Sequence, residues 1–198
     1  MSALTVDHDP DSDHDHEWDE LVRVWEETDG PEGSRVEIIE GLVTVAPPPA
    51  NTHNDVADRV HRRLYAAIPE DWGVYQTQGV AVPSRGGLYV PDLVVAPRAA
   101  VREPGHYIPA AAVELAVEIT WWSDAKNDRT AKYAGYAHAG VPLYLLIDAH
   151  APGGPTITLY GEPTGGVYRT LHAEKWGEPI RLPEPFGITL DTSEFPGS

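Results

Sequence analysis

Apolar residues at Trp18, Leu21, Val22 and Trp25 recur at i, i+3, i+4 and i+7, the spacing of one face of a short helix. Asp29-Gly30-Pro31 predicts its end. Residues 35–40 and 42–46 read as two strands joined at Glu40-Gly41. Pro47, Pro48 and Pro49 stop the second strand, because proline offers a ladder no donor. Asn51 or Thr52 is placed to cap a helix whose apolar stripe is Val56, Val60, Leu64 and Ile68. Residues 73–82 predict one or two short strands, and residues 84–87 a turn. Residues 88–96 read as one strand with Pro91-Asp92 inside it, and residues 113–122 as a long strand. Residues 124–139 predict a helix ending at Gly140-Val141-Pro142. The apolar run 143–147 suits a strand buried on both faces. Short β segments at 156–160, 167–171 and 188–190 follow among Gly/Pro-rich turns. This order predicts an α+β fold. The strand–helix–strand unit from 113 to 147 predicts a right-handed crossover between parallel strands.

Composition narrows the classes. The chain has 198 residues, enough for one domain with a real core. It holds no cysteine, which excludes disulfide scaffolds, thiolate zinc sites and cysteine nucleophiles. Any metal is therefore expected to be a hard, oxygen-ligated cation. The acidic N-terminus lacks the apolar core of a signal peptide, and 133–147 is too short and too polar to span a bilayer. A cytoplasmic protein without membrane contact is expected. The formal charge of −17 disfavours non-specific nucleic-acid or anionic-membrane coating. Eight of the acids fall in residues 1–20, which carry no Lys or Arg. Residues 1–17 are therefore expected to form an acidic, disordered tail, and 18–198 a single domain. His8, His14 and His16 in that tail offer at most weak metal binding. The bases gather at Arg59, Arg62 and Arg63 and again from Lys126 to Lys132. The arginines are either an ordinary solvated helix face or a backbone-phosphate patch.

Two carboxylates break their local pattern. Asp92 interrupts the apolar run 88–95. On the next long strand Val113, Leu115, Val117 and Ile119 share one face, and Glu118 lies on the other between Ala116 and Thr120. Carboxylates enter a sheet interior only when paired or metal-bound. Together on neighbouring strands they suggest a magnesium site, because Mg²⁺ is content with one or two carboxylates and keeps several waters. Asp128 and Lys132 stand at i, i+4 on the following helix, where a plain surface salt bridge accounts for them.

Pro91-Asp92, Glu118-Ile119-Thr120 and the ungapped run Asp128-Arg129-x-x-Lys132-x-x-x-Tyr136-x-x-x-Gly140-Val141-Pro142-x-Tyr144-x-x-Ile147-Asp148 resemble the Uma-type restriction endonuclease family of the PD-(D/E)XK nuclease superfamily. Val36-Glu37-Ile38-Ile39-Glu40-Gly41, Pro48-Pro49 and His53 are similar to its N-terminal hairpin and helix start. The resemblance implies a restriction-endonuclease-like mixed sheet flanked by helices, with a β-rich C-terminal extension. It implies a Mg²⁺- or Mn²⁺-dependent endonuclease that hydrolyses DNA phosphodiester bonds. Asp92 and Glu118 would be the metal ligands, with the Ile119 carbonyl a candidate third, and Glu37 an additional acid. The superfamily's strand lysine is replaced here by Thr120, and the resemblance offers Lys132 instead, with Lys126 in reserve. His53 is either a phosphate contact or a capping or surface histidine. Trp121-Trp122 replaces the family's small turn, as a base-stacking platform, core aromatics, or a narrowing of the cleft. Two rivals stand beside the endonuclease. One is a catalytically inactive nuclease-fold module that binds nucleic acid or protein. The other is an interaction module in which Asp92 and Glu118 lie on opposite sheet faces. Cleavage of both strands makes a homodimer a candidate state.

Overall fold

The computed structural model describes residues 10–120 and 125–196. Helix α1 spans Pro10–Glu27, beginning eight residues before the predicted face. The acidic stretch expected to be disordered over 1–17 is thus helical from Pro10, a residue tolerated in a first turn whose amides lack helical partners anyway. A hairpin follows, β1 (Arg35–Ile39) and β2 (Leu42–Ala46), then α2 (Asn51–Tyr65). Ala50 caps α2 without a side-chain bond, so neither Asn51 nor Thr52 serves as the cap.

Next come β3 (Trp72–Tyr75), β4 (Gly79–Val82), β5 (Gly87–Tyr89) and β6 (Leu93–Pro97). The short helix α3 (Arg98–Val101), β7 (Tyr107–Pro109) and β8 (Leu115–Thr120) succeed them. A helical stretch is built from α4 (Ala125–Asn127), a π-helical turn (Asp128–Lys132) and α5 (Tyr133–His138). It leads to β9 (Leu143–Asp148), β10 (Thr156–Thr164), β11 (Val167–Lys175) and a final pair, β12 (Ile180–Arg181) and β13 (Thr189–Leu190). Trp121 and Trp122 lie outside the described residues.

Two sheets organise these elements. The larger runs β11-β10-β9-β8-β6-β3 and the smaller β2-β1-β5-β4-β7. β8 and β9 are parallel, as the crossover rule requires of a strand–helix–strand unit. The fold is α+β, a mixed sheet flanked by helices with a β-rich C-terminal region. The stretch expected to be one strand over 88–96 is two: β5 pairs in the small sheet and β6 in the large one. The chain changes sheets at Pro91-Asp92, where proline cannot continue a ladder.

Both faces of the large sheet are covered, so its central strands read as unbroken apolar runs. Leu115, Val117, Ile119, Leu145 and Ile147 pack against Val56, Val60 and Leu64 of α2. Ala116, Tyr144 and Leu146 pack against Tyr136 and Ala137 of α5 and Val80, Val82 and Tyr89 of the small sheet. α1 lies against the first hairpin. Trp25 Nε1 donates to the Val36 carbonyl at 2.7 Å, and both Trp18 and Trp25 set an edge against Tyr107. The Trp18/Trp25 face is therefore used within the chain. Among the described residues no helix is long and apolar enough to cross a membrane.

Gly135 fixes how closely α5 approaches the small sheet. A Cβ there would lie 2.3–2.8 Å from the Tyr89 ring and hydroxyl, and Tyr89 is buried. Gly135→Ala should therefore destabilise the protein by about 1–3 kcal/mol through overpacking, although alanine is the better helix former. Urea unfolding measures this, and a gain in stability would show that the ring has room to move.

Candidate functional site

Strand alternation and helical spacing aim a set of charges into the layer between the two sheets. On β1, Arg35, Glu37 and Ile39 share a face, and Ile39 belongs to the interlayer core. On β8 the face carrying Ala116 also carries Glu118 and Thr120. On the helical stretch Asp128, Lys132 and Tyr136 follow at i, i+4 and i+8, and all three are buried. The first two sit in a π-helical turn, a widening frequent at functional sites. Asp92 enters at the sheet switch, and His53 from the first turn of α2.

Lys132 is the hub. Its Nζ lies 2.9 Å from Glu37 Oε1, 3.2 Å from Glu118 Oε1 and 3.2 Å from Asp128 Oδ1. Its side chain is 1 % exposed. The surface salt bridge that spacing alone suggested for Asp128 and Lys132 is therefore an interior one. Glu37 Oε1 also accepts the Val90 amide at 2.6 Å, and Tyr136 donates its hydroxyl to Glu118 Oε1 at 3.1 Å. Asp92 forms the second node. Its Oδ2 accepts the Ile119 amide at 2.7 Å, while its Oδ1 meets Arg35 Nη1 at 2.5 Å and His53 Nε2 at 3.0 Å. His53 is thus neither a cap nor a surface residue.

The structure brings Glu37, Asp92, Glu118, Lys132 and His53 together. It does not bring in the arginines of α2. Arg59 pairs with Asp55 and Glu194, Arg62 with Asp58, and Arg63 donates to the Thr189 carbonyl, on the helix face away from the buried stripe. They stand on an exposed face, apart from the buried cluster. Lys126 is exposed. Asp92 bonds to the amide next to Glu118, which argues against an arrangement that separates the two carboxylates. Arg35, Asp128 and Tyr136 complete the cluster but are not among the expected site residues: spacing gives Asp128 as a surface partner of Lys132, and Tyr136 enters only as part of the run that carries the family resemblance. Their signals were period two from Glu37 and period four around Lys132.

Four carboxylates, Glu37, Asp92, Glu118 and Asp128, thus face the two fixed cations Lys132 and Arg35. Burial opposes charge on Lys132, but Glu118, Glu37 and Asp128 outweigh it and hold the ammonium well above its usual range. Arg35 is likewise held charged, its desolvation outweighed by Asp92, Glu118 and Glu37. Burial also pushes against the Asp92 carboxylate, yet His53, Arg35 and the Ile119 amide keep its pKa below the ordinary value. Glu118 goes the other way: burial raises it, Lys132 opposes, and Asp128, Asp92 and Glu37 add to the rise. Asp128 is raised to about 6, again chiefly by burial.

The cluster opens to solvent at its Asp92 end. Arg35, His53, Asn54, Gln76, Thr77 and Asp92 line a cleft of about 220 Å³. Among the described residues no group of three His, Asp or Glu side chains is arranged to hold a metal ion. The donor chemistry is nonetheless that of a hard cation: two carboxylates, Asp92 and Glu118, in a charge cluster with an excess of acid and no sulfur ligand.

The sequence profile of the Uma2 family, described as "Putative restriction endonuclease", matches residues 18–193. No curated protein matches the chain significantly. Among solved structures, one from Anabaena variabilis ATCC 29413, described as "a putative nuclease belonging to DUF820", superposes with a TM-score of 0.66 at 18% identity. The match covers 90% of this chain and 96% of that one. At that identity the likeness is one of fold.

A raised acid binds its proton more tightly in the folded chain, so it adds stability as pH falls from 7 through about 6 towards 3.8. Asp92 and Asp148, whose pKa values are lowered, act in the opposite sense and withdraw stability below the ordinary carboxylate range. With a chelator present, Asp128→Asn should therefore flatten the rise in stability between pH 7 and 4.5, by up to about 2 kcal/mol. Urea unfolding across that range measures the slope, and a slope equal to wild type would show that Asp128 titrates normally.

Proposed function

We propose that this chain, which belongs to the Uma2 family, is a divalent-metal-dependent endonuclease that hydrolyses DNA phosphodiester bonds. The observation that carries the reading is the buried Lys132 ammonium ringed by Glu37, Glu118 and Asp128, in a charge cluster whose Asp92 and Arg35 line a cleft. Four carboxylates set against the cations Lys132 and Arg35 make this buried volume rich in acid. A divalent cation offsets that excess, whereas the metal-free cluster answers it by raising Glu118 and Asp128.

In this reading Asp92 and Glu118 hold Mg²⁺ or Mn²⁺, which when bound supplies a polarised phosphoryl oxygen and an acidified water. Lys132 places its positive charge beside the attacking water and the developing negative charge on the phosphoryl group. Glu37 and Asp128 keep that ammonium charged and oriented, and Tyr136 holds Glu118. His53, at the mouth of the cleft, is the candidate phosphate contact, with Lys126 further out. Arg59, Arg62 and Arg63 are occupied by acidic neighbours and a backbone carbonyl, so they play no part in the proposed mechanism. Cutting both strands of a duplex calls for two such sites, and a homodimer would supply them.

A second reading has one observation in its favour. Every cluster carboxylate already meets a protein cation, as expected of a nuclease fold that binds nucleic acid or protein without cleaving.

Plasmid incubated with Mg²⁺ or Mn²⁺ separates the two. The enzyme should nick or linearise it, and Asp92→Ala and Glu118→Ala should abolish cleavage. Lys132→Ala should lower turnover by about 10²–10³-fold, the usual loss on removing one transition-state donor. Cleavage surviving both acid substitutions would sink the site. A wild type that binds the metal at one site yet cuts nothing would favour the binding module.

A further inference from the structure

We propose that the N-terminus of α2 and His53 together form a phosphate subsite, which takes the substrate's backbone phosphate next to the one at the metal centre. The inference rests on the endonuclease reading above for the identity of the substrate, and adds how the strand is held.

α2 begins without a cap. Ala50 stands at the N-cap position with no side-chain bond, and the first turn carries no acid, in a chain with 31 acidic residues. The first engaged amide is that of Asn54, which donates to the Ala50 carbonyl at 3.1 Å. Among the described residues no acceptor meets the amides of Asn51, Thr52 and His53. A helix aims such amides, and the positive end of its dipole, at whatever lies before it, and a phosphate satisfies both.

His53 points to a ligand independently. It is 4 % exposed, and among the described residues its Nδ1 is buried without a hydrogen-bond partner. A buried polar atom left unpaired costs free energy that a ligand can return. Pro49, His53 and Asn54 of this turn line the 220 Å³ cleft. Exposed Asn54, Gln76 and Thr77 bring amide and hydroxyl donors to it. Among the described residues Asp92 is the one carboxylate that lines the cleft, and it is already matched by Arg35.

This subsite is not the seat of the reacting phosphate. His53 turns Nε2 to Asp92 Oδ1 at 3.0 Å, and Nδ1 lies across the ring. With a carboxylate on one nitrogen and a phosphate on the other, the imidazole donates from both. The ring therefore separates a phosphate on Nδ1 from a metal on Asp92. The phosphodiester at the metal and the phosphate on α2 are neighbours along one strand. Holding the neighbour sets the register of the strand and takes no part in the bond changes, so it lowers KM and leaves kcat.

Ala50→Asp tests this. Ala50 is exposed and its backbone is extended, as an N-cap aspartate requires, so the new carboxylate bonds the same amides and repels a phosphate. The protein in a chelator is titrated with inorganic phosphate and followed by amide NMR. In wild type the amides of Asn51, Thr52 and His53 should shift and saturate, and a single-stranded thymidine hexanucleotide should displace the phosphate. Ala50→Asp should raise the melting temperature yet weaken phosphate binding by about tenfold or more. On plasmid with Mg²⁺ it should raise KM and keep kcat close to wild type. Wild-type amides that do not move, or equal phosphate affinity in folded Ala50→Asp, overturn the subsite, and plasmid cleavage by wild type then leaves the endonuclease reading standing. Phosphate that the hexanucleotide does not displace is an adventitious ion only and overturns the subsite as well. Saturable binding that Ala50→Asp weakens, in a protein that cuts nothing, upholds the phosphate site and overturns the endonuclease reading. Should Ala50→Asp not fold, the isosteric Asn51→Asp, which adds an acid to the same turn, replaces it under the same binding criteria.

Discussion

One buried ammonium organises the site. Lys132 touches Glu37, Glu118 and Asp128, so it joins the small sheet, the large sheet and its own helix at one atom. A lone charge in that position would be expelled or neutralised, because desolvation costs several kcal/mol per ion. The three carboxylates prevent this, and the price is an excess of negative charge that the remaining residues must manage. Asp92 does so with Arg35, His53 and a backbone amide, and Glu118 with Tyr136 as well as Lys132. The rest of the arrangement follows from keeping that lysine charged where water is excluded. A buried ion cluster of this kind is poor value as stability, since apolar side chains of equal volume would do as well.

Much of the fold was legible because its cause is local. The run 143–147 is apolar at every position, which a strand covered on both faces requires, and β9 is buried throughout. The odd–even split of β8 placed Glu118 opposite Ile119, and the structure puts Leu115, Val117 and Ile119 in one core and Ala116 in the other; Val113, grouped by its spacing with the first three, precedes β8 and joins Ala116. The strand break at Pro91-Asp92 was half legible. Asp92 stood out as a charge in an apolar run, but an apolar run does not say which sheet each half joins. The start of α1 was misplaced because its first turns carry acids and no apolar stripe, so periodicity had nothing to register.

The site was legible to the degree that its residues break a pattern. Asp92 and Glu118 broke one. Lys132 did not: with Asp128 four residues earlier, it looks like any solvated helix pair. Only Glu37, some 95 residues away in sequence, turns that pair into an interior cluster, and no local window contains it. Arg35 was hidden for a different reason. It opens a strand two residues before Glu37, a position where a charge usually faces water, and its partner is supplied by the sheet switch.

The second position after Glu118 on β8, where the family resemblance led to the expectation of a lysine, ties down the following helix instead. Thr120 occupies it and donates to Asp148 Oδ1 at 2.8 Å. Asp148 in turn receives both arms of Arg129, Nε to Oδ2 at 2.6 Å and Nη2 to Oδ1 at 2.7 Å, and Arg129 Nη2 also reaches the His150 carbonyl at 2.8 Å. This two-pronged contact ties the π-helical turn to the ends of β8 and β9, three residues before Lys132. A lysine at 120 would meet Asp148 and be held away from Glu37. With threonine there, Asp148 is left to grip Arg129, and the grip fixes the helix from which Lys132 descends between the sheets.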